Sequence, residues 1–282
     1  MSKHGRLFTQ AYGRDLYRDQ ALYLSWSALA WREGPGVSLS VFTDRAAHFA
    51  SIADQADVHE MPPDQIRRWR GRYDFTHRLK PLLVQEMARR FPSETLLYLD
   101  ADTFLVRPPE DVLSPIGPGR SVMHAREAHL CASGDYQMRN FRRHLSRLSF
   151  RGAPIDLDRW MWNAGVIGLD PAGFGLVDDW IAFIDEVWPR YRRGLVEQYG
   201  IAMLVQQAGV VSSCEDAVVH YWYQKDEYTA AVRREVEALR RLPLPEILTH
   251  VRSHPVRIPF RERAPLRLPV WKKWRRSLFG EG

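Results

Sequence analysis

Two carboxylates, Asp100 and Asp102, stand one residue apart at the end of an apolar run, in LLYLDADTFLV. In an extended chain alternate residues face the same way, so both acids can reach one ion. Hard carboxylate oxygens suit Mg²⁺ or Mn²⁺, which bind through one or two carboxylates together with substrate phosphates. An Asp-x-Asp triplet by itself is common in solvated turns. The apolar runs on both sides of this one place it at a structured strand end. Two further segments carry groups fit to work beside an ion. In WNAGVIGLD, Asn163 offers a donor and an acceptor suited to hydroxyl groups, and Ala164 and Gly165 let the backbone come close to a ligand. In VVHYWYQK, His220 ends a strand pattern and can ligate a metal through a neutral imidazole. Lys225 follows five residues later and can pair with a phosphate as a point charge.

These residues need elements to hold them. RLFT (6–9) predicts a strand, followed after a polar turn by a helix from Leu16 to Trp31 that GPG (34–36) ends. VSLSVFTD (37–44) alternates as a strand closing at Asp44. A helix over 76–91, with Thr76 as its cap, leads into the strand 95–100 that carries the acids. MWNAGVIGLD (161–170) reads as one buried strand, 176–193 and 195–208 as helices, and DAVVHYW (216–222) as a further strand. Helices alternating with short apolar strands predict an α/β sandwich on a largely parallel sheet. Ligands of such sheets sit beyond the carboxyl ends of the strands, so Thr9, Asp44, Asp100, Asp102 and His220 are expected to converge on one cleft.

In this order the three segments resemble the family 8 glycosyltransferases, which have the GT-A fold, a Rossmann-like mixed, mostly parallel sheet flanked by helices. The likeness extends over roughly residues 6–225. Thr9 and Tyr17 match the family's opening strand and helix, Lys80 in THRLKPLL matches a basic residue on the helix before the acids, and Glu197-Gln198 stand where the family has Asp-Gln. The resemblance implies a transferase that moves a sugar from a nucleotide-diphospho-sugar, typically a UDP-sugar, with retention and with Mn²⁺ or Mg²⁺. Asp100, Asp102 and His220 would complete the metal site. Thr9 and Tyr17 would meet the nucleotide, Lys80 and Lys225 the diphosphate, and Asn163, Ala164 and Gly165 the donor sugar. Glu197 and Gln198 would face the reacting centre, Glu197 being the first candidate base and Asp156 and Asp158 weaker ones. The family's C-terminal motif reads HxxGxxKPW, whereas HYWYQK lacks the glycine and brings Lys225 one residue early.

Composition bounds the rest. With 282 residues and 45% hydrophobic content the chain can bury a sizeable core. Residues 251–282 hold nine Lys or Arg and two Glu against a whole-chain excess of +6, so the rest is close to neutral. A basic tail on a neutral body argues against nucleic acid as a partner. The expected division is a catalytic domain over 1–242 and a basic, Pro- and aromatic-rich tail over 243–282. The tail's Trp271, Trp274 and Phe279, set among Lys272, Lys273, Arg275 and Arg276, suit a peripheral contact with an anionic membrane or packing on the body. The acceptor would then be a glycan or a lipid-linked glycan. Two cysteines and no apolar leader point to a cytoplasmic protein, peripheral on the inner face of the membrane if the tail binds there. A nucleotide-sugar-binding protein without transferase activity would keep both acids. A nucleotidyltransferase would carry a Gly-rich phosphate loop near its start, and AYGRD is not one.

Overall fold

The structure is a computed structural model and describes residues 4–259. Its first half contains β1 (Gly5–Ala11), α1 (Asp15–Trp31), β2 (Val37–Thr43), β3 (Asp57–Glu60), α2 (Pro63–Arg70), α3 (Leu79–Arg90), β4 (Thr95–Leu99), β5 (Thr103–Leu105), α4 (Pro109–Leu113), β6 (Arg120–Met123) and β7 (Arg126–His129). The second half adds α5 (Tyr136–Leu145), β8 (Ser149–Phe150), β9 (Ala153–Pro154), β10 (Trp160–Trp162), β11 (Val166–Leu169), α6 (Gly175–Val187), α7 (Leu195–Ala208), β12 (Val210–Ser213), β13 (Val218–His220), α8 (Lys225–Leu239) and α9 (Leu244–Ser253).

Seven strands form the central sheet in the order β12-β6-β11-β4-β1-β2-β3. All pairings are parallel except those of β11, which runs against both β4 and β6. Strand residues alternate between two cores. Leu7, Leu97 and Leu99 face a layer built on α1, whereas Phe8, Leu96 and Tyr98 face one that includes Val84 of α3, Trp180 of α6 and Ile201 of α7. Helix α1 is buried from Arg18 to Ala30, because the sheet covers one side and α8 and α9 cover another. Its mixed small and apolar faces, unlike an amphipathic stripe, fit that position.

Three expectations need correction. The helix expected over 76–91 begins only at Leu79, after a 3₁₀ turn at Thr76–Arg78, and Thr76 does not cap it. The strand expected over 161–170 is two strands in different sheets: β10 pairs with β7 and β11 with β4, and Asn163–Gly165 form the break. The strand expected over 216–222 is β13 alone, followed by a 3₁₀ turn at Trp222–Gln224. The expected boundary at 242/243 falls just before α9, whose Ile247 and Val251 are buried in the core that contains α1. The backbone N–H of Val256 donates to the Tyr23 hydroxyl at 3.1 Å, so this packing continues to Val256. The aromatic and basic residues 260–282, with the expected membrane contact, lie outside the described residues. Among the described residues no helix is long and apolar enough to cross a membrane.

Candidate active site

The acids are brought together by a turn and not by an extended strand. Strand β4 stops at Leu99, and the carbonyl of Asp100 accepts both the backbone N–H of Thr103 (3.1 Å) and its hydroxyl (2.7 Å). This closes a tight reversal into β5. The Asp100 N–H donates to the Gly165 carbonyl at 2.8 Å, which ties the turn to the break between β10 and β11. Strand β13 pairs antiparallel with β5 and sets His220 opposite Thr103. Ligand atoms of Asp100, Asp102 and His220 thus lie within 4.8 Å of one another.

The imidazole of His220 is oriented by its neighbours. Asn163 Oδ1 accepts the Gly165 N–H at 2.9 Å, and Asn163 Nδ2 donates to Glu127 Oε1 at 2.8 Å, so the amide has one orientation. His220 Nδ1 lies 2.8 Å from the same Oδ1 and must therefore be the protonated nitrogen that donates to it. Nε2 is thereby aimed at Asp102 Oδ1, 3.5 Å away. When the imidazole is neutral, two electron-rich atoms face each other there, an arrangement that a cation between them relieves. A ligating histidine whose other nitrogen is held by a hydrogen bond is the usual pattern around bound metals. The donor set of two carboxylates and one imidazole fits a divalent cation.

Gly165 is required for a reason other than ligand approach. A Cβ there would sit 2.3 Å from the ring atoms of His220, so the imidazole packs directly on the glycine backbone.

Two lysines balance the acids in different ways. Lys80, on the first turn of α3, is buried, and its ammonium donates to Asp100 Oδ2 (3.1 Å) and the Ala164 carbonyl (3.0 Å). It also lies 3.3 Å from Glu197 Oε1. Burial alone would lower its pKa, but the charges of Asp100 and Glu197 outweigh that and hold it above the ordinary lysine value. The family resemblance implies a diphosphate contact for Lys80; the structure provides it with three partners inside the protein. Lys225, the first residue of α8, is half-exposed and donates to Asp102 Oδ2 at 2.8 Å. Burial alone would raise Asp102, yet a protonated His220, which donates to it, and the Lys225 ammonium keep it well below the usual carboxylate range.

Glu197 and Gln198 open α7. Burial pushes the Glu197 carboxyl up to about 7, although Lys80 pulls the other way. Gln198 Nε2 donates to Glu127 Oε2 at 2.7 Å. Around these groups lies a cleft of about 640 Å³. Its walls include Tyr17, Lys80, Asp100, Asp102, Asn163, Ala164, Gly165, Glu197, Gln198, His220 and Lys225.

Some expected residues are elsewhere. Thr9 is buried within β1, which runs on to Ala11, so Gln10, Ala11 and Tyr12 reach the cleft instead. Asp44 does not line it either: it accepts from the Gly13 N–H and pairs with Arg18, fixing the loop between β1 and α1. Asp156 pairs with Arg159 at 2.6 Å and Asp158 lies 3.6 Å from His129; neither lines the cleft.

No protein-family model matches the chain, and no curated protein matches it. Solved structures do. Galactosyltransferase LgtC, in complex with donor and acceptor sugar analogs, superposes with a TM-score of 0.54 at 11% identity over 86% of this chain and 95% of that one. The apo structure of the bifunctional glycosyltransferase WbbM gives 0.53 at 10% identity, over 83% of this chain and 45% of that one. The chain has the GT-A fold. Mouse xyloside xylosyltransferase 1, also without ligand, gives 0.48 at 14% identity, over 81% and 92%.

Within this GT-A frame, four cleft residues carried no usable signal in the sequence. Glu127 on β7 holds both Asn163 and Gln198, but no spacing marks a lone acid after a short strand. His77 lies in the 3₁₀ turn that a continuous helix would have hidden. Tyr12 follows β1 where a polar turn was expected. Trp222 is exposed on the cleft wall two residues after His220, inside the segment that marked the histidine.

Proposed function

We propose that the chain is a metal-dependent glycosyltransferase that moves a sugar from a nucleotide-diphospho-sugar, a UDP-sugar, to a glycan or lipid-linked acceptor, with retention at the sugar carbon. The observation that carries the reading is the Nε2 of His220, aimed at Asp102 by the Asn163 hydrogen bond. Retention and the uridine base rest on the sequence resemblance to family 8. The GT-A likeness supports the general chemistry.

Asp100, Asp102 and His220 would hold the cation, Mn²⁺ or Mg²⁺. When bound, such an ion supplies positive charge against the diphosphate leaving group. The protein's own groups do the rest. Lys225 is half-exposed beside Asp102 and is free to turn toward a phosphate, so it adds charge where the leaving group develops it. Lys80 acts from inside, fixing Asp100 and the Ala164 carbonyl. Tyr17, exposed at the start of α1, offers a ring face to the base. Asn163 is engaged with His220, Gly165 and Glu127, which makes it a positioning residue for the histidine. Glu197 is buried behind Lys80, and its role is to hold that ammonium while Gln198 presents its amide to the cleft.

Thermal melting with UDP, with Mn²⁺ and with both is the direct test. A ligand that binds only the folded state raises Tm by mass action. The expected result is a rise with UDP and Mn²⁺ together that His220→Ala abolishes. An equal rise with UDP alone, unchanged in the variant, would overturn the metal-site reading. Release of UDP from UDP-glucose or UDP-galactose then tests transfer chemistry.

A further inference from the structure

The cleft has a neighbour. Residues 75–78 form a ridge with Thr76 and His77 on the cleft side and Phe75 and Arg78 on the other. Beyond that ridge lies a groove of about 320 Å³ lined by Arg70, Arg72, Tyr73, Phe75, Asp185 and Trp188. It falls within the ~300–1,000 Å³ range typical of small-molecule sites. The ridge is shared closely: the Phe75 and His77 rings are 5.4 Å apart, and Arg70 Nη2 donates to the Thr76 hydroxyl at 3.2 Å. At the other end Arg192 leans over the groove's aromatic rings, while the next residues, Arg193 and Gly194, already line the cleft.

The groove's chemistry is specific. Trp188 stacks on Phe75 with ring centroids 4.6 Å apart, and Tyr73 lies 5.8 Å from Trp188. Two arginines lie over these rings. Arg72 is 4.4 Å from the Tyr73 centroid, and Arg192 is 5.9 Å from Tyr73 and 5.7 Å from Trp188. Both are exposed, and among the described residues neither guanidinium meets a carboxylate. The other two arginines of the lining are neutralised: Arg70 pairs with Asp74 and Arg78 with Asp185. Aromatic rings suit the apolar faces of sugar rings, and the two guanidiniums beside them, Arg72 with one donor on the Tyr73 hydroxyl, have further donors to offer a planar anion.

We infer that this groove is an acceptor subsite for an anionic stretch of glycan, one bearing carboxylate or phosphate groups, laid across the ridge from the cleft. The inference rests on the glycosyltransferase reading above. Arg72 and Arg192 recognise the anion, and Tyr73 and Trp188 support the sugar rings beside it. The ridge of residues 75–78 separates the groove from the cleft where the reacting hydroxyl must arrive, so an acceptor long enough to cross it fills both.

Binding of three probes, followed by calorimetry on the full chain, tests this: tetragalacturonic acid as the carboxylate probe, glucose 6-phosphate as the phosphate probe, and maltotetraose as the neutral control. At least one anionic probe should bind tenfold or more tightly than maltotetraose, and which one does identifies the anion. The double variant Arg72→Gln, Arg192→Gln should lose that preference while UDP with Mn²⁺ binds as in the wild type. Arg72→Lys with Arg192→Lys, which keeps the charge but not the planar fork, should retain part of it and guards against a folding defect in the first variant. Equal binding of neutral and anionic probes, or an anion preference that survives the glutamine pair, overturns the subsite. Failure of UDP and Mn²⁺ to bind the wild type would instead sink the proposed function, while the probe series still judges the groove.

Discussion

The two walls of the cleft are built on opposite principles. The wall that holds Asp100, Asp102, Asn163, Gly165 and His220 stands at the ends of β4, β11 and β13, and its polar atoms are tied to one another or to backbone. The other wall comes from short turns and the start of α5, with Gln137, Met138, His77 and Arg193. The first resists change because every group is held by two others. The second can alter its side chains at little cost to the fold, as surface segments with few buried contacts generally can. The lysines show the contrast in miniature: one is buried with three partners, the other half-exposed with one.

The sharpest way to break this comparison is to remove Lys80. Lys80→Met leaves Asp100 and Glu197 facing each other without their shared counter-charge, and loss of one buried partner costs about 3–5 kcal/mol. Urea unfolding should show a loss of that order. Lys225→Met should change stability by no more than about 0.5 kcal/mol, as at most surface positions, while lowering turnover. Equal destabilisation by the two would erase the distinction between the walls.

Next comes the acid nearest His220. Asp102→Ala should lower turnover by roughly 10²-fold or more, the scale of losing one electrostatic stabiliser. Assay of UDP release checks this, and a wild-type rate would remove Asp102 from the machinery. Asn163→Ala has a smaller expected effect. It frees the His220 ring without touching the ion, and loss of such an outer partner typically costs 10–100-fold in metal affinity. Titration of Mn²⁺ in the presence of UDP measures it. Unchanged affinity would mean that Asn163 does not orient the imidazole.

How far the sequence could anticipate this molecule follows from the same contrast. The strands β1 and β4 were legible as short apolar runs whose residues serve two cores, and β2 by its alternation of apolar and polar residues. Asp100, Asp102 and His220 were legible because each closes such a run. The geometry that joins them was not: an Asp-x-Asp in an extended strand and one in a tight turn have the same spelling, and only the two bonds to the Asp100 carbonyl distinguish them. Gly165 was noticed for its small size, but its partner, the His220 ring, lies 55 residues away in sequence and leaves no local mark. Thr9 was misplaced because nothing in RLFTQAYG tells a strand to stop at residue 9 or at residue 11. The second wall was nearly silent, since turns between 71 and 78 and between 124 and 138 carry no periodic pattern to read.

The smallest expected effect concerns Glu197. Its carboxyl is pushed up to about 7 in the folded protein, mainly by burial, against about 4.5 for a free glutamate side chain. The folded state therefore binds more protons than the unfolded state between those values. This contribution is complete below pH 4.5 and is lost as pH rises through 7. Between pH 6 and pH 8 the loss amounts to about 1 kcal/mol, at 1.36 kcal/mol per pKa unit. The comparison of walls sharpens here, because Lys80 sits between Glu197 and Asp100 and couples them. Glu197→Gln removes the titrating group and keeps its shape. Urea unfolding in EDTA at pH 6, 7 and 8 should then show a flatter dependence for the variant by about 1 kcal/mol over that range, with the difference fading below pH 5. Parallel curves for the two proteins would mean that Glu197 stays ionised against Lys80 throughout, and that the buried wall is held by a full ion triad.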